Sequence, residues 1–280
     1  MELNTLIIAI ASMGGLGLLF SAGLSLAEKK FYVEEDPRVM KIIDELPGAN
    51  CGACGYPGCA KFADVVVAGE AKINGCPVSD DEAKIAIGEI LGVDIETGER
   101  QIARLMCQGG NYETAKKAEY AGIKSCLGAS IFGGGEKMCE YACLGFGECV
   151  EACNFDAMYM SDNGLPVIID DKCTGCRKCA EACPQDIIEM HPESNKLFVL
   201  CKNLDGAKQA RKVCITACIA CGICVKNVEE GEMEMKDNLA VVNYDVFGKE
   251  SKLPTDKCPT GCLAIVGKPV VDEPAEKVEA

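Results

Sequence analysis

The chain has 280 residues, a formal net charge of −15 and 21 cysteines. This acidity disfavours binding to nucleic acid, because phosphate groups need a basic face. Aromatic residues make up 5% of the chain and tryptophan is absent, so large side chains for a wide hydrophobic core are scarce. An odd cysteine count in a long chain argues against a disulfide framework. We therefore expect small modules whose folding depends on bound metal clusters.

The N-terminal stretch Thr5–Ala27 contains no charged residue. It is long enough for a helix that crosses a bilayer. A cleaved signal peptide is the alternative, but it needs a basic start and this chain begins Met1-Glu2. No lysine or arginine precedes the stretch, and four follow it closely: Lys29, Lys30, Arg38 and Lys41. The positive-inside rule then places the rest of the chain on the cytoplasmic side of the membrane.

Small residues form a stripe on one face of this predicted helix, at Gly14, Gly17 and Ser21. Such stripes let a second transmembrane helix approach closely. The stripe predicts a membrane partner.

A first cysteine module follows, with the spacing C-x2-C-x4-C and a fourth cysteine before a proline. Its members are Cys51, Cys54, Cys59 and Cys76. This spacing predicts a single [4Fe–4S] cluster, and a zinc site is the alternative because four cysteines also suit zinc. We expect a helix over Ala60–Ala71 and a second helix from a capping box at Ser79 to about Gly92.

The segment after this module carries weaker patterns. Gln101–Cys107 is a candidate strand, and Asn111–Ala121 is a candidate helix that ends at Gly122. The glycines Gly133–Gly135 match no phosphate-binding pattern, so we expect no flavin or nucleotide site in the chain.

The run Cys173, Cys176, Cys179, Cys183 and Pro184 matches the bacterial ferredoxin spacing C-x2-C-x2-C-x3-C-P. In two-cluster ferredoxins the fourth cysteine of each run binds the other cluster. One predicted [4Fe–4S] set is therefore Cys153, Cys173, Cys176 and Cys179. The other is Cys139, Cys143, Cys149 and Cys183, in which Cys139 replaces the thiol that is missing at Phe146.

Two hairpins are predicted in this region. Asn163-Gly164 between Ala157–Met160 and Leu165–Ile169 is a strong hairpin signal. Ile187–Met190 and Lys196–Leu200 indicate a second hairpin. The pattern favours an α+β ferredoxin-like domain.

An internal repeat appears when the chain is laid on itself without a gap, with Cys143 on Cys218. The other aligned cysteines are Cys126, Cys139, Cys149 and Cys183, which fall on Cys201, Cys214, Cys224 and Cys258, and Ile187 falls on Cys262. The whole set of Cys153 falls on residues other than cysteine. The second copy has therefore lost one cluster as a unit. Its remaining set is predicted to be Cys218, Cys221, Cys224 and Cys258, with Cys214 as an alternative to Cys221.

Five cysteines stay outside these sets: Cys107, Cys126, Cys201, Cys214 and Cys262. Buried packing is the simplest role for them, and spacing alone does not assemble a fifth cluster from them. For the single histidine, His191, we expect a surface or hairpin position rather than a ligand.

The chain resembles the B subunit of the Rnf electron-transport complex. The resemblance rests on the apolar anchor, on the module from Asn50 to Pro77, and on the runs around Cys139–Cys153 and Cys218–Cys224. It implies a part in ferredoxin:NAD⁺ oxidoreduction coupled to pumping of Na⁺ or H⁺. It also implies that this subunit accepts electrons from reduced ferredoxin and passes them to other membrane and peripheral subunits.

We therefore expect an α+β protein with one N-terminal transmembrane helix, a small single-cluster domain and tandem ferredoxin-like domains. It would carry at least four [4Fe–4S] clusters and no bond-making catalytic site of its own. The chain would cross the inner (cytoplasmic) membrane once, with its bulk on the cytoplasmic side. The expected divisions are 1–27 for the anchor, 28–95 for the single-cluster domain, 96–135 for a connecting segment, 136–200 for the two-cluster domain, 201–266 for its one-cluster copy, and 267–280 for a tail.

Two other functions compete with this interpretation. The chain could wire another membrane redox complex, such as a hydrogenase, in which case a nickel–iron subunit would co-purify with it. It could also be a zinc-stabilised scaffold, in which case the protein would be colourless and free of iron.

Overall fold

The computed structural model describes residues 3–31, 36–95, 98–248 and 251–266. Its first element is the helix α1, Leu3–Phe31. Within it, Ile10–Lys30 is long and apolar enough to cross a membrane, by length and composition, and none of that window is buried in the protein. The predicted anchor is thus a continuous helix that no other part of the described chain covers. The predicted tail, 267–280, lies outside the described residues.

Three helices build the N-terminal module: α2 (Pro37–Glu45), α3 (Cys59–Val67) and α4 (Asp81–Leu91). A 3₁₀ turn, Ile73–Gly75, lies between α3 and α4. Helix α2 packs against both α3 and α4, and Ile42 and Phe62 are almost completely buried between them. This small core sits behind the first cysteine loop and gives that loop a rigid base.

The two helices predicted from sequence in this module are present. Helix α3 ends at Val67, a few residues before the predicted end. Helix α4 ends as expected at Gly92, which takes φ of 70°. Its cap is Asp80 rather than Ser79, because the Asp80 carboxylate accepts the backbone N–H of Ala83 at 2.8 Å.

The next module contains two antiparallel strand pairs. Strand β1 (Gln101–Leu105) pairs with β4 (Ile188–Pro192), and β2 (Met158–Met160) pairs with β3 (Pro166–Ile168). Short helices α5 (Cys126–Ile131), α6 (Glu148–Glu151) and α7 (Lys178–Glu181) and the 3₁₀ turn Asp170–Lys172 join them. The predicted β2–β3 hairpin is confirmed.

The last module repeats this plan. Strand β5 (Leu197–Val199) pairs with β8 (Leu263–Ile265), and β6 (Met233–Lys236) pairs with β7 (Leu239–Val242). Helix α8 (Ala207–Val213) and the 3₁₀ turns Val225–Asn227 and Pro254–Lys257 complete it. Each module therefore has an outer pair, formed by its first and last strands, and an inner hairpin.

This plan corrects the second predicted hairpin. Strands β4 and β5 do not pair with each other: β4 pairs with β1 and β5 with β8. Each strand closes its own module instead of folding back on its neighbour in sequence. The predicted strand Gln101–Cys107 is confirmed as β1, which ends at Leu105.

The predicted helix over Asn111–Ala121 is absent. Residues 111–113 form a turn, after which Thr114 forms a β-bridge with Cys214 and Lys116 forms one with Lys137. Tertiary pairing has overridden the local helical pattern.

An aromatic contact joins the two modules. His191 of β4 lies 5.0 Å from the ring centroids of both Phe198 and Tyr244, in edge-on contacts. Phe198 is completely buried. His191 therefore belongs to a packed interface, and its Nε2 lies 3.1 Å from the Glu189 carboxylate.

Candidate metal centres

Every cysteine of the chain lies among the described residues, and all 21 are free thiols. Most of them line small cavities in groups. The first cavity lies in the N-terminal module, and its cysteines are the predicted four: Cys51, Cys54, Cys59 and Cys76. Asn50 shapes this loop, because its Oδ1 accepts the backbone N–H of Cys59 at 2.8 Å.

The second cavity is lined by Cys153, Cys173, Cys176 and Cys179, the predicted crossed set. The Cys173 loop is held against β1. Gly175 in that loop takes φ of 71°, and a Cβ on it would lie 2.6 Å from the Gln101 carbonyl oxygen. Arg100 donates from Nη2 to the carbonyl oxygen of Cys173 at 2.7 Å.

The third cavity is lined by Cys126, Cys143, Cys149 and Cys183. Cys139, which the spacing placed in this set, is not among the lining residues. Cys126, the first residue of α5, lines the cavity instead. Ser125 caps this helix, because its hydroxyl oxygen accepts the Gly128 N–H at 2.8 Å. Cys126, from the segment between β1 and Cys139, thus takes the place of the thiol that is missing at Phe146.

The fourth cavity is lined by the predicted Cys218, Cys221, Cys224 and Cys258, together with Cys262. The sulfurs of Cys258 and Cys262 are 3.7 Å apart. Cys262 takes the place that Ile187 takes beside the third cavity, as the repeat implied.

The thiols at the fourth cavity differ in proton affinity. Hydrogen bonding to Cys262 lowers the pKa of Cys258 to about 4 and that of Cys218 to about 6. The same two hydrogen bonds, with burial, raise the pKa of Cys262. Cys262 therefore keeps its proton, whereas Cys258 and Cys218 favour the thiolate, which is the form that binds metal.

At the second and third cavities, burial is the main cause of the pKa shifts. It raises the pKa of Cys149 and Cys179 to about 12, and neighbouring thiolates of the same cavities add to the shift. Such thiols lose their protons when a cation is bound, which couples metal loading to folding.

The second and third cavities are neighbours. Cys149 of the third cavity and Cys173 and Cys179 of the second belong to one buried core.

The donor sets fit iron–sulfur clusters better than single ions. In the part of the chain that the structure describes, no group of three or more His, Cys, Asp or Glu side chains could hold one metal ion. A zinc ion would draw four sulfurs to about 2.3 Å from one point. Each cavity offers at least four cysteines, and four is the ligand number of a [4Fe–4S] cluster.

Comparison with known proteins agrees with these sites. A family model described as a putative Fe-S cluster matches residues 46–78, and one described as a 4Fe-4S dicluster domain matches residues 138–188. The B subunit of the Na⁺-translocating ferredoxin:NAD⁺ oxidoreductase complex of Acetobacterium woodii is 42% identical over 94% of this chain and 78% of its own length. The chain belongs to this family of B subunits.

Two further relatives support the assignment. The B subunit of the ion-translocating oxidoreductase complex of Methanosarcina acetivorans is 37% identical over 86% of this chain and 92% of its own. The B subunit of the proton-translocating ferredoxin:NAD⁺ oxidoreductase complex of Clostridium ljungdahlii is 36% identical over 94% of both. The family predicted from the motifs is confirmed.

Sequence reasoning missed the position of Cys126 at the third cavity. The available signal was Phe146, because a phenylalanine at a ligand position indicates that another cysteine must replace it. The signal does not indicate which cysteine that is. Cys139 was the nearer candidate in sequence, but Cys126 is the one that the fold brings to the cavity.

Proposed function

We propose that the chain is the membrane-anchored iron–sulfur subunit that accepts electrons from reduced ferredoxin and relays them within an ion-translocating ferredoxin:NAD⁺ oxidoreductase complex. One observation carries the proposal: four cavities, each lined by at least four cysteines, occur in a chain that belongs to this family of B subunits. The oxidoreductase activity belongs to the complex, and the role of this chain is electron transfer.

At least four [4Fe–4S] clusters are proposed. The first binds Cys51, Cys54, Cys59 and Cys76, and the second binds Cys153, Cys173, Cys176 and Cys179. The third binds Cys143, Cys149 and Cys183 with Cys126, which the cavity lining favours over Cys139. The fourth binds Cys218, Cys221, Cys224 and Cys258. Clusters of this kind would supply one-electron chemistry, and the protein would tune it through burial, charge and hydrogen bonds to sulfur.

Tandem ferredoxin-like domains are the proposed fold of the two strand-paired modules. The support is their common plan of an outer strand pair around an inner hairpin. Because β1 pairs with β4 and β5 pairs with β8, we assign 98–192 to the first ferredoxin-like domain and 197–266 to the second, and we treat 98–135 as part of the first rather than as a connecting segment.

Helix α1 is proposed to anchor the subunit in the cytoplasmic membrane with all cysteine modules on the cytoplasmic side. The lysines at its C-terminal end, Lys29 and Lys30, support this orientation through the positive-inside rule. Free thiols agree with it, because the cytoplasm keeps thiols reduced.

Electron transfer from reduced ferredoxin tests the proposal. The full-length chain is purified anaerobically in detergent and mixed with reduced ferredoxin from which excess reductant has been removed. We expect the visible absorbance of the chain to bleach as ferredoxin is reoxidised. A chain that carries iron but stays oxidised would contradict its role as the ferredoxin acceptor, and a colourless zinc protein would contradict the cofactor.

A further inference from the structure

Four of the cysteines outside the predicted sets, or displaced from them, meet at the junction of the two strand-paired modules. They are Cys107, Cys139, Cys201 and Cys214, each with at most 9% of its surface exposed. The sulfurs of Cys107 and Cys214 both lie within 3.6 Å of one point, the position that a Cβ on Gly109 would take. Three of the four, Cys107, Cys201 and Cys214, lie outside the cluster sets that the cysteine spacing predicted.

Contacts with one residue and a common core tie Cys139 and Cys201 to the same place. The Asn203 side chain donates to the Cys139 sulfur at 3.4 Å, and the Asn203 backbone N–H donates to the Cys201 sulfur at 3.5 Å. All four cysteines belong to one buried core.

The junction has an approximate internal symmetry. Cys107 stands two residues after β1 and Cys201 two residues after β5. The backbone N–H of Gly109 donates to the Cys107 sulfur at 3.3 Å, and that of Asn203 donates to the Cys201 sulfur at 3.5 Å. Each module thus presents a cysteine in the same local structure.

The other two cysteines are also equivalent. Cys139 lies four residues before Cys143, and Cys214 lies four residues before Cys218. Two thiols from each module therefore face each other across the junction.

We propose that Cys107, Cys139, Cys201 and Cys214 bind a further [4Fe–4S] cluster between the two modules. The proposal rests on the iron–sulfur chemistry proposed for the neighbouring cavities. A cluster at this position gives a ligand role to four buried thiols that would otherwise only pack in the core. Cys126 remains available as a ligand at the third cavity.

Hydrogen bonds to these sulfurs support cluster binding, because they are a main means by which proteins stabilise and tune such centres. The Asn203 side chain is 1% exposed and donates from Nδ2 to the Cys139 sulfur at 3.4 Å. Its own Oδ1 accepts the N–H of Asp205 at 2.7 Å, which fixes the amide orientation. One buried residue therefore orients thiols from both modules.

A buried cation lies beside the site. Lys137 is 6% exposed, and its Nζ donates to the Gly109 carbonyl oxygen at 2.7 Å. Its charge acts against the burial that raises the pKa of Cys107. An ammonium there would offset part of the negative charge of a cluster held by four thiolates.

The site also touches the cavities on either side. Cys107 belongs to the same buried core as Cys143, which lines the third cavity. The Cys201 sulfur accepts the backbone N–H of Cys218 at 3.3 Å, and Cys218 lines the fourth. A cluster at the junction would connect two centres that belong to different modules.

Iron and zinc contents of the full-length chain, purified anaerobically in detergent, test the proposal. Five clusters require about 20 irons and as many acid-labile sulfides per chain, whereas four require about 16. We expect the higher value, and we expect Cys214→Ala to lose about four irons. The matched control is Val213→Ala, which truncates the buried residue next to Cys214 and should lose none.

A second variant guards against misfolding of the alanine variant. Asn203→Leu keeps all four thiols and should keep the iron, but it removes the donor to Cys139 and should shift one electron paramagnetic resonance signal to a lower reduction potential. About 16 irons in the wild type, with none lost in Cys214→Ala, would overturn the fifth site and leave the proposed function standing. Zinc retained at this site would also overturn it, and absence of iron altogether would overturn both.

Discussion

Arg104 and Asp170 form a two-pronged ion pair, with guanidinium nitrogens 2.5 and 3.0 Å from the two carboxylate oxygens. The Arg104 side chain is 4% exposed. Because Arg104 lies on β1 and Asp170 opens the turn before Cys173, the pair ties the strand to the loop of the second cavity. The guanidinium carbon also lies 5.8 Å from the ring centroid of Phe198 in the next module.

Replacing Arg104 should weaken the second cavity. In Arg104→Gln the loop before Cys173 loses its ion pair with β1. We expect the free energy of unfolding to fall by about 2 kcal/mol. The loss is smaller than for a fully buried pair because Asp170 is partly exposed. We expect faster loss of iron to a chelator, measured by visible absorbance. Arg38→Gln, which breaks the exposed pair with Asp36, is the control and should leave that rate unchanged. Equal rates in the two variants would show that the Arg104 pair does not hold the loop.

Gly175 should tolerate no side chain. A Cβ there would lie 2.6 Å from the backbone oxygen of Gln101, in a conformation with φ of 71°. In Gly175→Ala, β1 and the cysteine loop must move apart, and we expect loss of the cluster bound by Cys153, Cys173, Cys176 and Cys179. The readout is iron content.

Gly222→Ala separates backbone strain from the steric clash. Gly222 also has positive φ, 65°, but its nearest atom to an added Cβ is Met235 Cγ at 4.0 Å. This variant carries the conformational cost alone, about 1 kcal/mol, and should keep its iron. If both variants lose iron equally, the contact with β1 is not the cause.

Cys258 and Cys262 should have different roles although their sulfurs are 3.7 Å apart. Cys258→Ala removes a ligand, and its cluster should become labile or convert to a three-iron form. Cys262→Ala should keep the iron but lower the reduction potential of that cluster, because the S–H donor next to the Cys258 sulfur is gone. Iron analysis and electron paramagnetic resonance of both variants, under anaerobic conditions, decide the point. Loss of the cluster from Cys262→Ala alone would reverse the assignment.

Helix α1 should be the only membrane anchor in the described part of the chain. Deleting residues 1–27 should yield a soluble, brown protein with the iron content of the full chain, since every cysteine lies beyond that stretch. Sedimentation after a high-salt wash and iron analysis provide the measurement. Membrane association of the truncated chain without any partner would point to a second membrane-binding surface.

Short-range patterns in the sequence predicted local structure well. Asn163-Gly164 correctly indicated the β2–β3 hairpin, and the glycine stop correctly ended α4 at Gly92. The spacing of Cys173, Cys176 and Cys179 identified a set of thiols that the fold does gather around one cavity.

These short-range patterns could not predict which distant segments would pair with each other. The gap-free repeat aligns Cys126 with Cys201, yet the structure makes Cys107 the counterpart of Cys201, because each follows the first strand of its module. The segment between β1 and the first cysteine run is longer than its counterpart after β5, and the additional residues carry Cys126. An alignment without gaps hides this insertion, and so hides both the thiol at the third cavity and the junction between the modules.

An anaerobic structure of the intact complex tests the central claim most directly, because it shows metal positions and neighbouring subunits together. The account predicts cube-shaped iron–sulfur density at each four-cysteine cavity, forming a continuous series from the N-terminal module to the cavity of Cys258. It also predicts α1 in the bilayer with every cysteine on the cytoplasmic side. Single metal ions at the cavities, or a break in the series too wide for electron transfer, would contradict it.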